Sequence, residues 1–388
     1  MKILYVFGGE KASGAEIVIE RLFNANLEQV TPFLIMAPGE FARNVKFKGL
    51  VAEVTECNNL KKLNRSSSNS IRFFIKAIGN YFLVSYTVNK LLLKHNINVI
   101  HSNTIVPSSY LLPVLIYSKL FYRERKWLWS DHDLEYFSKI DHKLSEWCLK
   151  LFSRTLVVSS AVKSKFKYTS DRIVVLYNGI SSNSFYGSDI LKDKFRTENS
   201  IDKSLKVILM AATIAPRKNQ LGLIEVFKEL IELHPNCLLI LAGGWGGDDE
   251  EYNLKVQNYI DTIPQLKYLG KVDNMLELYN GADVILNNSS LSGSEPLGTT
   301  IYEAMACGKI VLGSNTGGTP EIITDNVDGY LFRADDNDDL LKILDYVLNN
   351  LGELQRIKVN AVKKVSNTFN IESTVKQYNE IISQLINT

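Results

Sequence analysis

Two carboxylates flank the start of a predicted helix within residues 294–308. Glu295 lies in the loop before this helix, and Glu303 follows Thr299 by four residues, on the same helical face. The amides of the first turn, which have no partners within the helix, belong to Leu297, Gly298, Thr299 and Thr300. Such a helix end attracts a diphosphate, and carboxylates beside it can accept hydrogen bonds from hydroxyl groups. The segment therefore predicts a site for a sugar nucleotide.

Two further loops have residue types that could hold a phosphate group. Arg217 and Lys218 follow a predicted strand and precede an amphipathic helix. Because the helix dipole disfavours cations at a helix N-terminus, an anion bound between them and the helix amides explains their position, and a solvated turn is the alternative. Residues 8–16 are glycine-rich and lead into a helix near Gly14. They lack the Lys-Ser/Thr of a P-loop and any G-x-G-x-x-G, which disfavours a nucleoside triphosphate or dinucleotide site.

The elements that position these loops alternate regularly along the chain. Short apolar runs alternate with longer amphipathic stretches, the pattern of β-α units around a parallel sheet. The predicted strands are residues 2–7, 31–36, 99–102, 127–129, 155–158, 173–176, 207–211, 237–241, 266–269, 284–287 and 310–313. Residues 181–204 turn polar and lose periodicity, which places a domain boundary there. The prediction is an α/β protein with two doubly wound, Rossmann-like domains, 1–190 and 205–368, facing each other across a cleft.

Composition narrows the class of protein. The chain has 388 residues, 22% of them charged, and a formal net charge of +2, which favours two folded domains over a disordered or polycationic chain and disfavours bulk nucleic-acid binding. The four cysteines are far apart and have no zinc-site spacing, so they are expected to be reduced thiols in the cytoplasm. The sequence predicts neither a signal peptide nor a membrane-spanning segment.

Short motifs occur in order along the whole chain: Ser13-Gly14-Ala15-Glu16, Asp131-His132-Asp133, residues 158–159, Tyr177-Asn178-Gly179-Ile180 with Phe185, Pro216-Arg217-Lys218-Asn219, residues 241–244, 268–272, 282–284 and 295–308, and Gly317-Gly318-Thr319-Pro320-Glu321 with residues 328–329. Taken together, they resemble the retaining glycosyltransferases of family four, which have the GT-B fold. Each motif alone is weak evidence. Together and at these spacings they are specific.

The resemblance implies a role for each candidate residue. Gly14 would approach the donor diphosphate, His132 would contact the donor sugar, and Lys218 would pair with the diphosphate. Glu295 would hold the hydroxyls of the transferred sugar and Glu303 the ribose, while Gly270 and Val272 would meet the nucleobase. The terminal helix, residues 370–388, is expected to cross back onto the first domain.

The chemistry of glycosyl transfer fits these residues. Cleavage of the anomeric bond leaves negative charge on the diphosphate, which Lys218, Arg217 and the amides near Gly298 can stabilise without a metal or other cofactor. Many family members place an arginine where this chain has Thr213, so Arg217 is expected to replace that cation. Residues 131–133 spell the D-x-D pattern by which other glycosyltransferases hold a metal, but they are far in sequence from the phosphate loops, and no metal is expected. Retention is implied by the resemblance, with the diphosphate oxygen deprotonating the acceptor.

The distribution of charge along the chain indicates the kind of acceptor. Residues 1–180 have an excess of basic residues, and residues 43–82 combine cations with aromatic side chains, which suits an anionic membrane surface. The alternative is that these aromatics form the core side of a helix. We therefore expect a cytoplasmic, peripheral enzyme that adds a sugar, with UDP as the favoured donor nucleotide, to a lipid-linked glycan in bacterial surface polysaccharide synthesis. The alternatives are a soluble sugar-phosphate or sucrose-type synthase and a non-catalytic GT-B-like subunit.

Overall fold

The computed structural model describes residues 1–8, 14–26, 29–60, 70–136, 138–167, 171–181, 183–247 and 249–387. The chain divides into two compact units, Met1–Gly179 with Ile371–Thr388, and Ile180–Asn370. Each unit is built on one parallel sheet, of seven strands in the first and six in the second. No helix in the described ranges is both long enough and apolar enough to span a bilayer.

The first unit has a seven-stranded sheet in the order β3-β2-β1-β4-β5-β6-β7. Its strands are β1 (Lys2–Phe7), β2 (Thr31–Met36), β3 (Glu53–Glu56), β4 (Val99–Asn103), β5 (Lys126–Asp131), β6 (Arg154–Val157) and β7 (Ile173–Val175). Its helices are α1 (Gly14–Asn26), α2 (Glu40–Phe47), α3 (Ser70–His95), α4 (Ile105–Tyr110), α5 (Leu112–Phe121), α6 (Lys139–Leu151), α7 (Ser160–Ser164) and the terminal α16 (Ile371–Asn387).

The second unit has a six-stranded sheet in the order β10-β9-β8-β11-β12-β13. Its strands are β8 (Lys206–Ala211), β9 (Cys237–Ala242), β10 (Leu266–Tyr268), β11 (Val284–Asn287), β12 (Ile310–Ser314) and β13 (Tyr330–Phe332). Its helices are α8 (Asp189–Glu198), α9 (Gln220–Leu233), α10 (Glu250–Thr262), α11 (Met275–Gly281), α12 (Thr299–Ala306), α13 (Thr319–Ile322), α14 (Asn337–Asn350) and α15 (Gln355–Thr368).

Both sheets reverse their winding direction once. The reversal falls between β1 and β4 in the first unit and between β8 and β11 in the second. In open parallel sheets, ligands bind at the carboxyl ends of the strands beside such a reversal. The loops after β8 and β11 are those that hold the strongest sequence motifs, so the topology brings these motifs together.

The apolar runs become strands because both faces of a parallel sheet are buried. In β1, every residue from Ile3 to Phe7 is buried. The strands β3 and β13 were not predicted. β3 has the sequence EVTE and lies half-exposed at one sheet edge, and β13 is only three residues long at the edge of the other sheet. β3 contains no apolar run, which explains why it was missed. β13 is as short as the predicted strands β7 and β10, so its length does not explain its omission.

The unit boundary differs from the sequence prediction, which assigned residues 1–190 to the first domain. Residues 180–190 belong to the second unit. The backbone N–H of Ser188 donates to Asn280 Oδ1 at 2.7 Å, and α8 packs against α11. These contacts attach the polar connecting segment to α11 of the second unit. The boundary between the units therefore lies before residue 180 and not within the polar segment.

The terminal helix α16 belongs to the first unit and packs against α1. Its Tyr378 is buried, with its hydroxyl 2.8 Å from His101 Nδ1 and donating to Tyr5 Oη at 3.1 Å. His101 Nε2 lies 2.7 Å from Ser130 Oγ. A buried polar chain therefore joins the last helix to the central strands of the first sheet.

Candidate donor-binding site

Lys218 and Glu295 lie on the loops after the neighbouring strands β8 and β11, and their side chains form an ion pair between Lys218 Nζ and Glu295 Oε1. The two side chains are 9% and 15% exposed. The Asn287 amide, at the last position of β11, donates to Glu295 Oε2 at 3.3 Å. The sheet reversal thus explains why two residues far apart in sequence meet at one point.

The Lys218 loop is held rigidly by buried side chains. Pro216–Lys218 forms a 3-10 turn, and Asn219 then adopts a left-handed conformation, with φ 51°, and caps α9 by accepting from the Gly222 N–H at 3.2 Å. The buried Gln220 donates to the Thr213 carbonyl at 2.9 Å and accepts from the Ala215 N–H at 3.2 Å. These hydrogen bonds hold the backbone of the loop from which the Lys218 side chain extends.

The electrostatics of Lys218 reflect its burial. Burial, followed by the nearby positive charge of Arg217, lowers the pKa of Lys218 to about 7. The contacting Glu295 carboxylate favours the charged ammonium and so acts in the opposite direction. A second anion, such as a phosphate, would favour the charged form further.

Arg217 is exposed, and its charge is close enough to affect Lys218. The Ser290 N–H donates to the Arg217 carbonyl at 3.1 Å, and a Cβ at Gly293 would overlap Arg217. The loop after β11 therefore packs directly on the Arg217 backbone. Thr213, the position where many relatives place an arginine, is exposed in the same loop.

Helix α12 begins at Thr299, and Gly298 is its N-cap residue, without a side-chain hydrogen bond at the cap. Leu297 and Gly298 are buried, whereas Thr299 and Thr300 are partly exposed. The Gly318 N–H donates to the Glu295 carbonyl at 2.9 Å. Gly317, at φ +56°, lies so close to Glu295 that a Cβ would overlap its backbone. The glycine pair thus supports the loop that carries Glu295 into the helix.

Glu303 lies on α12 and is buried. The Tyr279 hydroxyl donates to Glu303 Oε2 at 3.0 Å. A carboxylate held in this way is oriented before a ligand arrives. Tyr279 comes from the last turn of α11, an element in which the sequence showed no functional motif.

The proposed nucleobase segment follows β10. Gly270 has a left-handed backbone, with φ +63°, and its carbonyl accepts from the Gly243 N–H at 2.7 Å. Val272 is partly buried. Tyr268 donates its hydroxyl hydrogen to the Gly243 carbonyl at 2.8 Å. Backbone contacts therefore join the loops after β9 and β10.

His132 and Gly14 lie in the first unit. His132 Nε2 is 3.0 Å from Asn103 Oδ1, at the end of β4, and burial lowers the pKa of His132 to about 4, so the imidazole is neutral at pH 7. Gly14 begins α1, and residues 9–13 before it lie outside the described residues. His132 therefore contacts the end of β4, and α1 follows β1 in the chain; the first sheet reverses between these two strands.

The D-x-D pattern has a structural role in the first unit. Asp131 is buried and pairs with Lys165, whose Nζ lies 2.6 Å from Asp131 Oδ2. Lys165 also donates to the Asp133 carbonyl at 2.5 Å. Among the residues placed by the structure, no group of three or more His, Cys, Asp or Glu side chains could hold a metal ion.

Sequence reasoning missed three residues that organise this site: Asn287, Gln220 and Tyr279. Asn287 carried a usable signal, because an Asn-Asn-Ser run directly after a buried strand is unusual for a structural turn and lies where ligands bind. Gln220 and Tyr279 carried no such signal. Their roles depend on contacts between elements that the sequence does not order.

Two family models match the chain one after the other. The model described as Glycosyltransferase Family 4 matches residues 50–183, and the model described as Glycosyl transferases group 1 matches residues 192–364. The putative glycosyltransferase YtcC of Bacillus subtilis is 28% identical over 59% of this chain and 58% of its own length. The N-acetyl-alpha-D-glucosaminyl L-malate synthase of Bacillus anthracis is 28% identical over 54% of this chain and 53% of its own. The chain thus spans little more than half the length of these relatives.

A solved structure extends the likeness to the whole fold. The HepE protein of Anabaena, crystallised in complex with UDP, superposes with a TM-score of 0.83 and 21% identity over 99% of this chain and 100% of that one. The two parallel-sheet units are those of the GT-B fold. With both domain models matched in succession, the chain belongs to the family-four type of glycosyltransferases.

Proposed function

We propose that this chain transfers a sugar from a nucleotide-sugar donor to a glycan acceptor with retention of the anomeric configuration. The observation that carries the proposal is the buried Lys218–Glu295 pair beside the first turn of α12. A cation and free helix amides suit a diphosphate, and a carboxylate beside them suits sugar hydroxyls. Glu303, oriented by Tyr279, suits the two hydroxyls of a ribose.

The reaction breaks the bond between the anomeric carbon and the β-phosphate oxygen. The electron pair of this bond stays on the diphosphate, whose growing charge Lys218, Arg217 and the α12 amides stabilise. The acceptor oxygen forms its new bond on the same face of the sugar, and its proton passes to the departing phosphate oxygen. On donor binding, the Lys218 ammonium turns from Glu295 toward the phosphate, and Glu295 turns to the sugar hydroxyls. No metal or other cofactor takes part in these steps.

UDP is the nucleotide that we propose for the donor. HepE, which shares the fold, was crystallised with UDP and with UDP-glucose. In this chain, Gly270 and Val272 would meet the base through their backbone. His132, neutral at pH 7 because burial lowers its pKa to about 4, would donate or accept one hydrogen bond with the donor sugar. Gly14 would allow the diphosphate to approach the start of α1.

The test is a panel of UDP-, GDP- and ADP-sugars, with release of the nucleoside diphosphate measured in the presence of cell-derived lipid and soluble acceptors. We expect UDP release that depends on the lipid fraction and an α-linked product from an α-linked donor, read by NMR. Transfer to a soluble sugar phosphate would favour the synthase alternative. No turnover with any donor would favour the non-catalytic subunit, and inversion would contradict the proposed same-face route.

We also propose that α3 and α5 of the first unit bind an anionic membrane surface, which brings a lipid-linked acceptor to the enzyme. Phe82 is 64% exposed, so it does not belong to a core stripe, whereas Tyr81 packs edge-on against Tyr110 with ring centroids 5.0 Å apart. The large apolar side chains exposed on these two packed helices are Ile75, Ile78, Phe82, Leu83, Tyr86, Leu93, Ile116, Tyr117, Leu120 and Phe121.

Charge favours a bilayer with anionic lipids as the occupant of this face. Lys76, Lys90 and Lys119 are exposed on the same helices, and each basic residue near an anionic surface adds about 1 kcal/mol of attraction. The side chains of residues 61–74, which the prediction for residues 43–82 included, lie outside the described part. Lys48, also in that prediction, pairs with Glu20 at 2.5 Å.

Liposome co-sedimentation tests the membrane proposal. We expect the wild-type chain to bind phosphatidylglycerol vesicles more tightly than phosphatidylcholine vesicles, and the double variant Phe82→Ser/Phe121→Ser to bind at least about tenfold more weakly. Leu254→Ser is the matched control, because Leu254 is also 64% exposed but lies in the second unit. Equal binding to both lipids, or an equal loss in the control, would contradict the proposal.

A further inference from the structure

A second cavity of the second unit lies at the end of α12 opposite to the proposed donor site. Its volume is about 270 Å³, which is room for several water molecules of about 30 Å³ each. Cys307 and Gly308, directly after α12, form one wall, and Gly187–Asp189, at the start of α8, form another. The cavity therefore opens at the edge of the sheet where β11 and β12 begin.

Three lysines line this cavity: Lys192, Lys309 and Lys358. We call it the lysine pocket. Two carboxylates, Asp189 and Asp283, line it as well. The question is whether these two carboxylates already form ion pairs with all three lysines.

Both oxygens of Asp283 are already engaged. Oδ1 accepts from Lys192 Nζ at 2.7 Å, and Oδ2 accepts from Arg196 Nη2 at 2.8 Å and from the Val207 N–H at 2.9 Å. Two cations thus share one carboxylate, and Arg196 is itself buried. Asp283 also attracts Lys309 and Lys358, which acts to raise their pKa values, but it forms no ion pair with either of them among the described residues.

Lys309 and Lys358 form no ion pair with any residue that the structure describes. Lys309 Nζ donates to the Asn280 carbonyl at 2.9 Å, a neutral partner. Burial, then the charge of Lys192, lowers the pKa of Lys309 to about 8, although Asp283 and Cys307 act in the opposite direction and Lys358 adds only weakly to the lowering. Asp189, in the first turn of α8, is exposed to solvent. Lys192 therefore repels both Lys309 and Lys358, and neither of these two has a paired carboxylate among the described residues.

We propose that the lysine pocket binds a phosphate group, either free or carried by a small phosphorylated metabolite. A dianion between Lys309 and Lys358 would offset the repulsion from Lys192 and form charge-assisted hydrogen bonds with both ammonium groups. The positive end of the α8 dipole adds to the attraction. This site is separate from the donor site and does not depend on the proposed transferase activity.

The test is isothermal titration of the full chain with inorganic phosphate. We expect binding by the wild-type protein and a loss of affinity of about tenfold or more in Lys358→Gln, because one charge-assisted contact disappears. Lys358→Arg keeps the charge and should keep the binding. Lys218→Gln changes no residue that lines the lysine pocket, so it should bind phosphate there as the wild type does at temperatures where both are folded.

A second measurement keeps the result independent of folding defects. In phosphate-free buffer, Lys358→Gln should melt close to the wild type, because the attraction by Asp283 and the repulsion by Lys192 oppose each other at this position. A sugar monophosphate titrated in parallel distinguishes a metabolite from the free anion by its tighter binding. Absence of phosphate binding, equal binding by wild type and Lys358→Gln, or loss of binding in Lys218→Gln alone would overturn the proposal. None of these outcomes bears on UDP-sugar turnover, which tests the proposed function separately.

Discussion

Replacing Lys218 by Gln removes the cation that contacts Glu295. The remaining carboxylate is only 15% exposed and keeps the Asn287 amide at 3.3 Å as a hydrogen-bond donor. Breaking a buried ion pair from one side costs about 3–5 kcal/mol, and we expect the lower end of this range, about 3 kcal/mol, because of this amide and the residual exposure. Glu295→Gln should also destabilise, since it leaves a buried ammonium without its partner.

The double variant Lys218→Gln/Glu295→Gln leaves no unpaired charge. Its free energy of unfolding should therefore fall by less than the sum of the single losses, with a coupling energy of about 2 kcal/mol. Urea denaturation of the four proteins measures this. Turnover should respond differently, because Lys218→Gln loses a charge that stabilises the departing diphosphate, and a loss of about 10²–10³-fold is expected.

Stability and turnover should respond differently in the double variant. Its loss of stability should be smaller than the two single losses added together, whereas its turnover should stay as low as that of Lys218→Gln. Wild-type turnover in Lys218→Gln would refute the role of Lys218 at the diphosphate. Strictly additive losses of stability would refute the coupling of the pair.

Three further predictions concern Arg217 and Glu303 in the second unit and His101 in the first. Arg217→Ala should lower turnover by about 10²-fold, and it should change the free energy of unfolding by no more than about 0.5 kcal/mol because Arg217 is exposed. Adding Thr213→Arg should restore part of the rate, whereas unchanged kinetics in Arg217→Ala would show that Arg217 does not replace the missing arginine. Glu303→Gln should weaken the affinity for UDP more than that for 2′,3′-dideoxy-UDP in calorimetry, with Tyr279→Phe giving a smaller loss of the same kind; an equal loss for both nucleotides would contradict a ribose contact. Burial lowers the pKa of His101 from 6.5 to about 3, so below pH 6.5 the unfolded chain binds a proton that the folded chain does not. The contribution of His101 to the free energy of unfolding should therefore be full above pH 6.5 and fall by about 1.4 kcal/mol per pH unit as the pH drops toward 3. Urea denaturation of His101→Asn should lack this part of the pH dependence, and the same pH dependence in both proteins would contradict the assignment.

The strands that sequence periodicity predicted well are those with both faces buried. Val284–Asn287 is an example, since its four residues are all buried between neighbouring strands, and the apolar run coincides with the strand. The half-exposed Glu53–Glu56 could not be found in this way, because its pairing with β2 rather than its composition makes it a strand. A hydrophobic run in the sequence indicates a strand that is buried on both faces. It does not indicate a half-exposed strand that pairs at the edge of a sheet.

The sequence indicated which residues could form the candidate site, but not how they meet. The types and spacing of Lys218, Glu295 and Glu303 predicted a phosphate and hydroxyl site. That Lys218 and Glu295 touch follows from the adjacency of β8 and β11, which depends on the order of strands in the sheet. The roles of all these residues, and of His132 and Gly14, toward a donor stay predictions.

A crystal structure of the chain with UDP or an unreactive UDP-sugar would test the donor site directly. We predict a β-phosphate within hydrogen-bond distance of Lys218 Nζ and of the amides at Gly298 and Thr299, with Glu303 on the ribose. A nucleotide bound elsewhere, with Lys218 still paired to Glu295, would contradict it.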